Sequence, residues 1–245
     1  MARDIKTETV TYSAGGATLS GYLAHDSARQ GKRPGIVVFG EWWGLNEYQK
    51  RRARELAELG YVALAADLYG NGKVAADAAQ ANELMNGLFA DMPATSARVR
   101  AAVETLAARP EVDASRIGVM GYCLGGAMAL HAARLGLDLR GAVSFHGVLS
   151  RTHEAKPGDV KARILVCHGE DDPFVSAEEQ AAFRKEMDDL GVDCRIVVYP
   201  GAKHAFTNPD ATENGRKYNL PLEYNEQVDR ESWQEMKAFW AEVLG

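Results

Sequence analysis

The sequence predicts an α/β fold: a mostly parallel sheet with helices on both faces, an N-terminal antiparallel hairpin and no large cap domain. Three observations carry this reading. Short uninterrupted apolar runs recur at 35–39, 61–66, 117–121, 141–145, 164–168 and 194–199, the pattern of strands buried on both faces. Helical segments with readable ends lie between them, and strands alternating with helices imply a parallel sheet. No linker, repeat or low-complexity segment breaks the alternation. At 245 residues, residues 1–245 are expected to form one domain, a size such folds reach around a single core.

The elements follow in order. Residues 7–13 alternate polar and apolar, Ala14-Gly15-Gly16 turns the chain, and 18–24 run back, an edge hairpin. After the run 35–39, Asn46 caps a helix that reaches Leu59 and stops at Gly60. The run 117–121 feeds the small-residue helix that begins near Ala127. Ser176 with Glu179 reads as a capping box for a helix ending before Gly191. A closing helix is expected from about Leu222 to Leu244.

One turn carries chemistry. Gly121-Tyr122-Cys123-Leu124-Gly125-Gly126 joins the strand 117–121 to its helix in a G-x-C-x-G pattern, the nucleophile elbow of an α/β-hydrolase with a thiol in place of the hydroxyl. Glycines two before and two after the nucleophile remove Cβ atoms that would clash in so sharp a turn. The helix start directs its positive end at the sulfur, favouring thiolate.

An acyl-transfer site of this kind also needs a base and a carboxylate that orients it, in the chain order nucleophile, acid, histidine. The run 164–168 ends in Gly169-Glu170-Asp171-Asp172, and either aspartate can supply the acid. The last run leads into Gly201-Ala202-Lys203-His204-Ala205-Phe206, so His204 stands where the general base belongs. The segment after the third strand, Gly40-Glu41-Trp42-Trp43-Gly44, supplies the second oxyanion-hole amide from Trp42. The first comes from Leu124. Trp43, Tyr122, His146 and Phe206 are the expected substrate-pocket residues.

Composition narrows the alternatives. A net charge of −6 argues against nucleic acid or an anionic membrane as partner. Three cysteines make no disulfide framework and suit a reducing, cytoplasmic compartment. The N-terminus lacks the apolar stretch of a signal peptide, and no run is long enough to span a bilayer. Cys167 and Cys194 sit in apolar strand runs as inert core thiols. His25, His131, His153 and His168 show no metal-ligand spacing, so neither metal nor cofactor is expected. The protein is read as a monomer or small homo-oligomer.

On the elbow, the strand-end G-x-x-D-x-x-V of Gly169 to Val175, the G-A-x-H-x-F of Gly201 to Phe206 and the segment Gly40 to Asn46, the chain resembles the dienelactone hydrolase family over nearly its full length. The resemblance implies a Cys123–Asp172–His204 triad, selecting Asp172 over Asp171. It also implies that Glu41 helps deprotonate Cys123 once substrate displaces it, guarding the resting thiol against oxidation. Departures matter too. The family's substrate-binding arginine, four residues after the histidine, is Asn208 here, and no Lys or Arg falls between Lys73 and Arg98. The expected substrate is therefore a neutral ester or lactone, cleaved through a thioester. The rival readings are a hydrolase of amides or phosphotriesters and a non-catalytic binding protein of the same fold.

Overall fold

The computed structural model describes residues 3–245. Its strands form one eight-stranded sheet in the order β1 (5–14), β2 (17–26), β4 (62–66), β3 (33–39), β5 (112–122), β6 (141–145), β7 (163–169), β8 (194–199). The chain divides into two compact units, one ending at Met120 and the other running from Gly121 to Gly245.

The first unit opens with the hairpin β1 (Ile5–Ala14) and β2 (Ala17–Asp26), paired along ten residues. Strand β2 runs antiparallel to β4 (Val62–Ala66), which is parallel to β3 (Arg33–Phe39). Both β3 and β4 are wholly buried, as their unbroken apolar runs require. Helix α1 (Glu47–Leu59) lies between them in sequence. The Asn46 side chain accepts from Gln49 N, and Gly60 closes the helix at φ 103°, a left-handed cap that glycine adopts without steric cost. Gln49 is buried, and its Nε2 donates to Val38 O at 2.7 Å and Ala66 O at 3.0 Å. One side chain thus ties the ends of two parallel strands.

Helices α2 (Ala78–Ala90) and α3 (Met92–Ala107) follow, each started by an aspartate, Asp77 and Asp91. Strand β5 (Val112–Tyr122) then leads into the second unit. It is longer than its apolar run, because the half-buried or exposed residues 113–116 extend it towards solvent.

The second unit contains α4 (Leu124–Arg134), β6 (Gly141–Phe145), β7 (Arg163–Gly169), α5 (Ala177–Leu190), β8 (Cys194–Tyr199), α6 (Ala211–Tyr218) and α7 (Glu226–Leu244). Strands β6, β7 and β8 are parallel. Trp240 of α7 is fully buried, and a Cβ at Gly141 would lie 2.8 Å from both Trp240 and Phe239. The missing side chain lets α7 press onto β6.

Two sequence expectations need correction here. The closing helix begins at Glu226, not Leu222, with Asn225 as its cap. Residues 222–225 instead run beside the loop after β8: Leu222 bridges His204, Glu223 N donates to His204 O and Asn225 N donates to Phe206 O, the last two at 3.1 Å. The capping box of α5 is half made. Ser176 Oγ accepts from Glu179 N at 3.2 Å, but Glu179 Oε1 accepts from Leu149 N and Ser150 N at 2.6 and 2.7 Å. The loop amides at 149 and 150 outcompete the local cap for this carboxylate.

Candidate active site

Strand ends position the site residues of the second unit: Cys123 follows β5, His146 follows β6, Asp172 lies three residues past β7, and His204 five past β8. This is where open parallel sheets hold their ligands.

Cys123 stands at φ 54°, ψ −117° directly before α4. A non-glycine residue there costs about 1–3 kcal/mol and persists only where its surroundings over-determine it. The reason it can be reached is visible at Gly121, whose Cβ would sit 2.0 Å from Gly125 O. Any side chain at that position breaks the turn. Cys123 N donates to Phe145 O at 3.0 Å and also meets His146 Nδ1 at 3.2 Å, while Cys123 O accepts from Gly126 N and Ala127 N. The Leu124 amide opens the helix, at its electropositive end. Cys123, like Cys194, is half-buried, and Cys167 is buried. Burial pushes the Cys167 and Cys194 thiols up to about 12, so neither ionises near neutral pH.

His204 and Asp172 are both buried, and His204 Nδ1 lies 2.8 Å from Asp172 Oδ2. Asp171 is exposed, so of the two aspartates it is Asp172 that meets the imidazole. The other oxygen, Oδ1, accepts from Phe174 N at 2.9 Å. The side chain of His204 also hydrogen-bonds Cys123. With Nδ1 turned to Asp172, the nitrogen facing Cys123 is Nε2. Burial disfavours the imidazolium, but the charge of Cys123 and the bonds to Asp172 and Cys123 outweigh it, holding the His204 pKa up to about 10. Cys123, His204 and Asp172 are thereby joined in one chain of contacts. The Phe174 ring, among the exposed large apolar side chains, meets the His204 ring edge-on at 4.8 Å.

The pocket residues of this unit lie deeper than the sequence suggests. Tyr122, His146 and Phe206 have no exposed surface. Tyr122 stacks on Phe145 at 4.9 Å, and Phe206 meets His146 at 5.0 Å. Their side chains pack within the core. Three non-glycine residues of this neighbourhood, Cys123, His146 and Ala205, have positive φ. Only the elbow glycines gave a sequence signal for such strain.

In the first unit, Glu41 and Trp43 are buried and Trp42 is half-buried, with the two indoles edge-to-face at 5.1 Å. Tyr69 Oη donates to Trp42 O at 2.8 Å, and Gly44 bridges Val74. Sequence reasoning missed the residue that organises the neighbouring loop. Asp67 Oδ1 accepts from Tyr69 N and Gly70 N, and Oδ2 from Ser20 N and Gly72 N, at 2.7–3.0 Å. An aspartate at the end of a buried strand was the available signal.

Asn208, in place of a family arginine, is buried, and its Oδ1 accepts from Asp210 N at 3.0 Å. Arg98 donates to Leu68 O at 2.7 Å, and Lys203 pairs with Glu223 at 2.6 Å. Among the described residues no helix is long and apolar enough to cross a membrane.

Comparison with known proteins identifies the family. The profile of the dienelactone hydrolase family matches residues 19–244. A solved structure named m3DLH is 40% identical, covers 98% of this chain and 99% of its own, and superposes with a TM-score of 0.91. The dienelactone hydrolase-like promiscuous phosphotriesterase P91, from metagenomic libraries, is 37% identical with a TM-score of 0.90, covering 98% and 99%. A Bradyrhizobium sp. protein named "Probable 2-oxo-3-(5-oxofuran-2-ylidene)propanoate lactonase" is 32% identical over 82% of this chain and 84% of its own length. With its α/β-hydrolase sheet and a family match across nearly all its length, the chain belongs to the dienelactone hydrolase family of enzymes.

Proposed function

We propose that this enzyme hydrolyses neutral carboxylic esters and lactones through Cys123, His204 and Asp172 and a thioester acyl-enzyme, as one α/β-hydrolase domain in the cytoplasm. The observation that carries the reading is the buried imidazole of His204, bonded on one side to Asp172 at 2.8 Å and on the other to Cys123.

The chemistry follows from that pairing. The Cys123 thiolate attacks the carbonyl carbon, a C–S bond forms, and the C=O electron pair moves onto oxygen. The Leu124 amide stabilises that oxyanion, a donor typically worth about 3 kcal/mol in the transition state. When the tetrahedral adduct collapses, the leaving alkoxide takes the proton from His204 Nε2. The imidazole, now neutral, removes a proton from water, and the hydroxide attacks the thioester. Collapse of the second adduct expels the thiolate, leaving the carboxylic acid product and a recharged His204. Asp172 holds the ring in the productive orientation throughout. To the same reading belong the roles that family resemblance implies in the first unit: the Trp42 amide as second oxyanion donor and Glu41 as the group that helps ionise Cys123.

Preference for neutral substrates is supported by the cations that are already engaged. Arg98 is spent on a backbone carbonyl, Lys203 on Glu223, and Asn208 folds back on its own loop. A substrate carboxylate would forgo charge-assisted bonds of about 1.5–3 kcal/mol each. The relative named as a phosphotriesterase, at 37% identity, favours a second substrate class for the same thiolate. The test is a panel of aryl esters, lactones and phosphotriesters with wild type and Cys123→Ala, Cys167→Ala and Cys194→Ala. Ester and lactone turnover that disappears only with Cys123→Ala is expected. Turnover that survives in Cys123→Ala overturns the reading.

A further inference from the structure

We propose that His146 is a positioning residue that locks the nucleophile elbow to the loop carrying the base, and that it does so as a neutral imidazole with its proton on Nε2. The inference rests on the triad reading above but on different contacts. A backbone amide can only donate, so Cys123 N–H meeting His146 Nδ1 at 3.2 Å requires a lone pair on that nitrogen. The proton of the neutral ring then sits on Nε2, which lies 2.7 Å from Thr207 Oγ1. Thr207 is fully buried and stands three residues after His204. The same ring meets His204 edge-on at 5.2 Å and Phe206 at 5.0 Å.

His146 therefore touches the backbone of the nucleophile and the loop of the base at once. Its own place is also strained, at φ 40°, and is held by its N–H donating to Cys167 O at 2.8 Å. Strained backbone of this kind needs several independent restraints. Cys123 N–H shares its hydrogen between Phe145 O and the imidazole, so the ring supplies the only side-chain restraint that the described contacts give that amide. A doubly protonated ring would present N–H to N–H at Cys123 and set a second cation against His204. Neutral His146 leaves the positive charge to the one imidazole that must donate a proton.

The test uses His146→Phe, which keeps a ring but removes both bonds, His146→Asn, whose carbonyl oxygen can replace the Nδ1 acceptor, and Thr207→Val. Two readouts apply: kcat and KM for a neutral aryl ester, and the rate at which iodoacetamide alkylates Cys123, located by peptide mass spectrometry. Alkylation needs no substrate and so judges the positioning role even if ester hydrolysis proves to be the wrong reaction. Losing a hydrogen bond of ordinary strength predicts that His146→Phe lowers both kcat and alkylation about 5–10-fold with KM little changed. Thr207→Val should lower both by less, His146→Asn should restore most of the loss, and the Phe/Val double variant should be no worse than His146→Phe alone. Should His146→Phe misfold, His146→Asn and Thr207→Val still decide, since Thr207→Val must slow alkylation. Wild-type alkylation and kcat in His146→Phe, unchanged alkylation in Thr207→Val, or effects that simply multiply in the double variant would overturn the proposal.

Discussion

Two aspartates stand at corresponding places in this molecule, Asp67 just past β4 and Asp172 just past β7, and both are buried. They do different work. Asp67 gives both oxygens to backbone, accepting four N–H groups from the loop 69–72 and from Ser20. Asp172 gives one oxygen to Phe174 N and keeps the other for the imidazole of His204. The same residue type past a strand is used differently according to how its acceptors are spent. A carboxylate saturated by amides holds a loop; one with an oxygen left over can orient a base. The strained backbone follows the same division. Apart from asparagines, the positive-φ non-glycine residues among those described are Cys123, His146 and Ala205, all beside Asp172's partner.

The sharpest way to break this contrast is to neutralise each carboxylate in turn. Asp172→Asn should reduce kcat for a neutral ester by about 10²–10⁴-fold, because the amide no longer fixes or stabilises the charged imidazole. A kcat within threefold of wild type, on the order of 0.6 kcal/mol in barrier, would place Asp172 with Asp67 as a mere loop anchor.

Asp67→Ala should do the reverse. Four backbone donors lose their acceptor, and each buried group left unpaired costs about 1–3 kcal/mol, less where water reaches it. A loss of several kcal/mol in chemical denaturation is expected, with kcat of the folded enzyme reduced less than tenfold. Equal damage to stability and turnover would show that this loop also serves the chemistry.

The His204 partnership has a pH signature. The folded state holds the imidazole proton up to about 10, against 6.5 for the free side chain, because Cys123 and Asp172 outweigh burial. The folded protein binds that proton more tightly, so the resulting stability is whole below pH 6.5 and is lost as pH rises through about 10. The difference in melting temperature between wild type and His204→Gln should therefore shrink across that window. A constant difference would mean that His204 is uncharged in the resting enzyme, making it closer to a structural hydrogen-bonding partner.

The smallest expected effect concerns specificity. Relative to a neutral ester, a substrate with a carboxylate beside the scissile bond should lose about tenfold in kcat/KM for each missing charge-assisted bond. A tenfold preference for the anion would reveal a cationic clamp for the carboxylate, with Arg216 and Lys217 on α6 the first to substitute.

Much of this was legible in the chain because it depends on local rules. Buried parallel strands advertise themselves as apolar runs, and 141–145 and 194–199 agree with β6 and β8 at both ends. Asn46 and Gly60 bounded α1 because caps are chemistry within a single turn. Gly121 marked the elbow because only a missing Cβ admits Gly125 O so close. That Cys123, an aspartate of the pair 171–172 and His204 each follow a strand was readable in that chain order.

What tertiary structure decided were choices between partners distant in sequence. Glu179 left its capping box for Leu149 and Ser150, and residues 222–225 joined the His204 loop instead of starting α7. Asp172 was set apart from Asp171 by burial and by one 2.8 Å bond. His146, Tyr122 and Phe206 were taken into the core, and Asp67 became the anchor of a loop that no local pattern marks. The physical reason is common to all of them. A sequence declares which polar groups need a partner, but which partner each one finds is set by burial, where an unpaired group is most costly and water can no longer substitute.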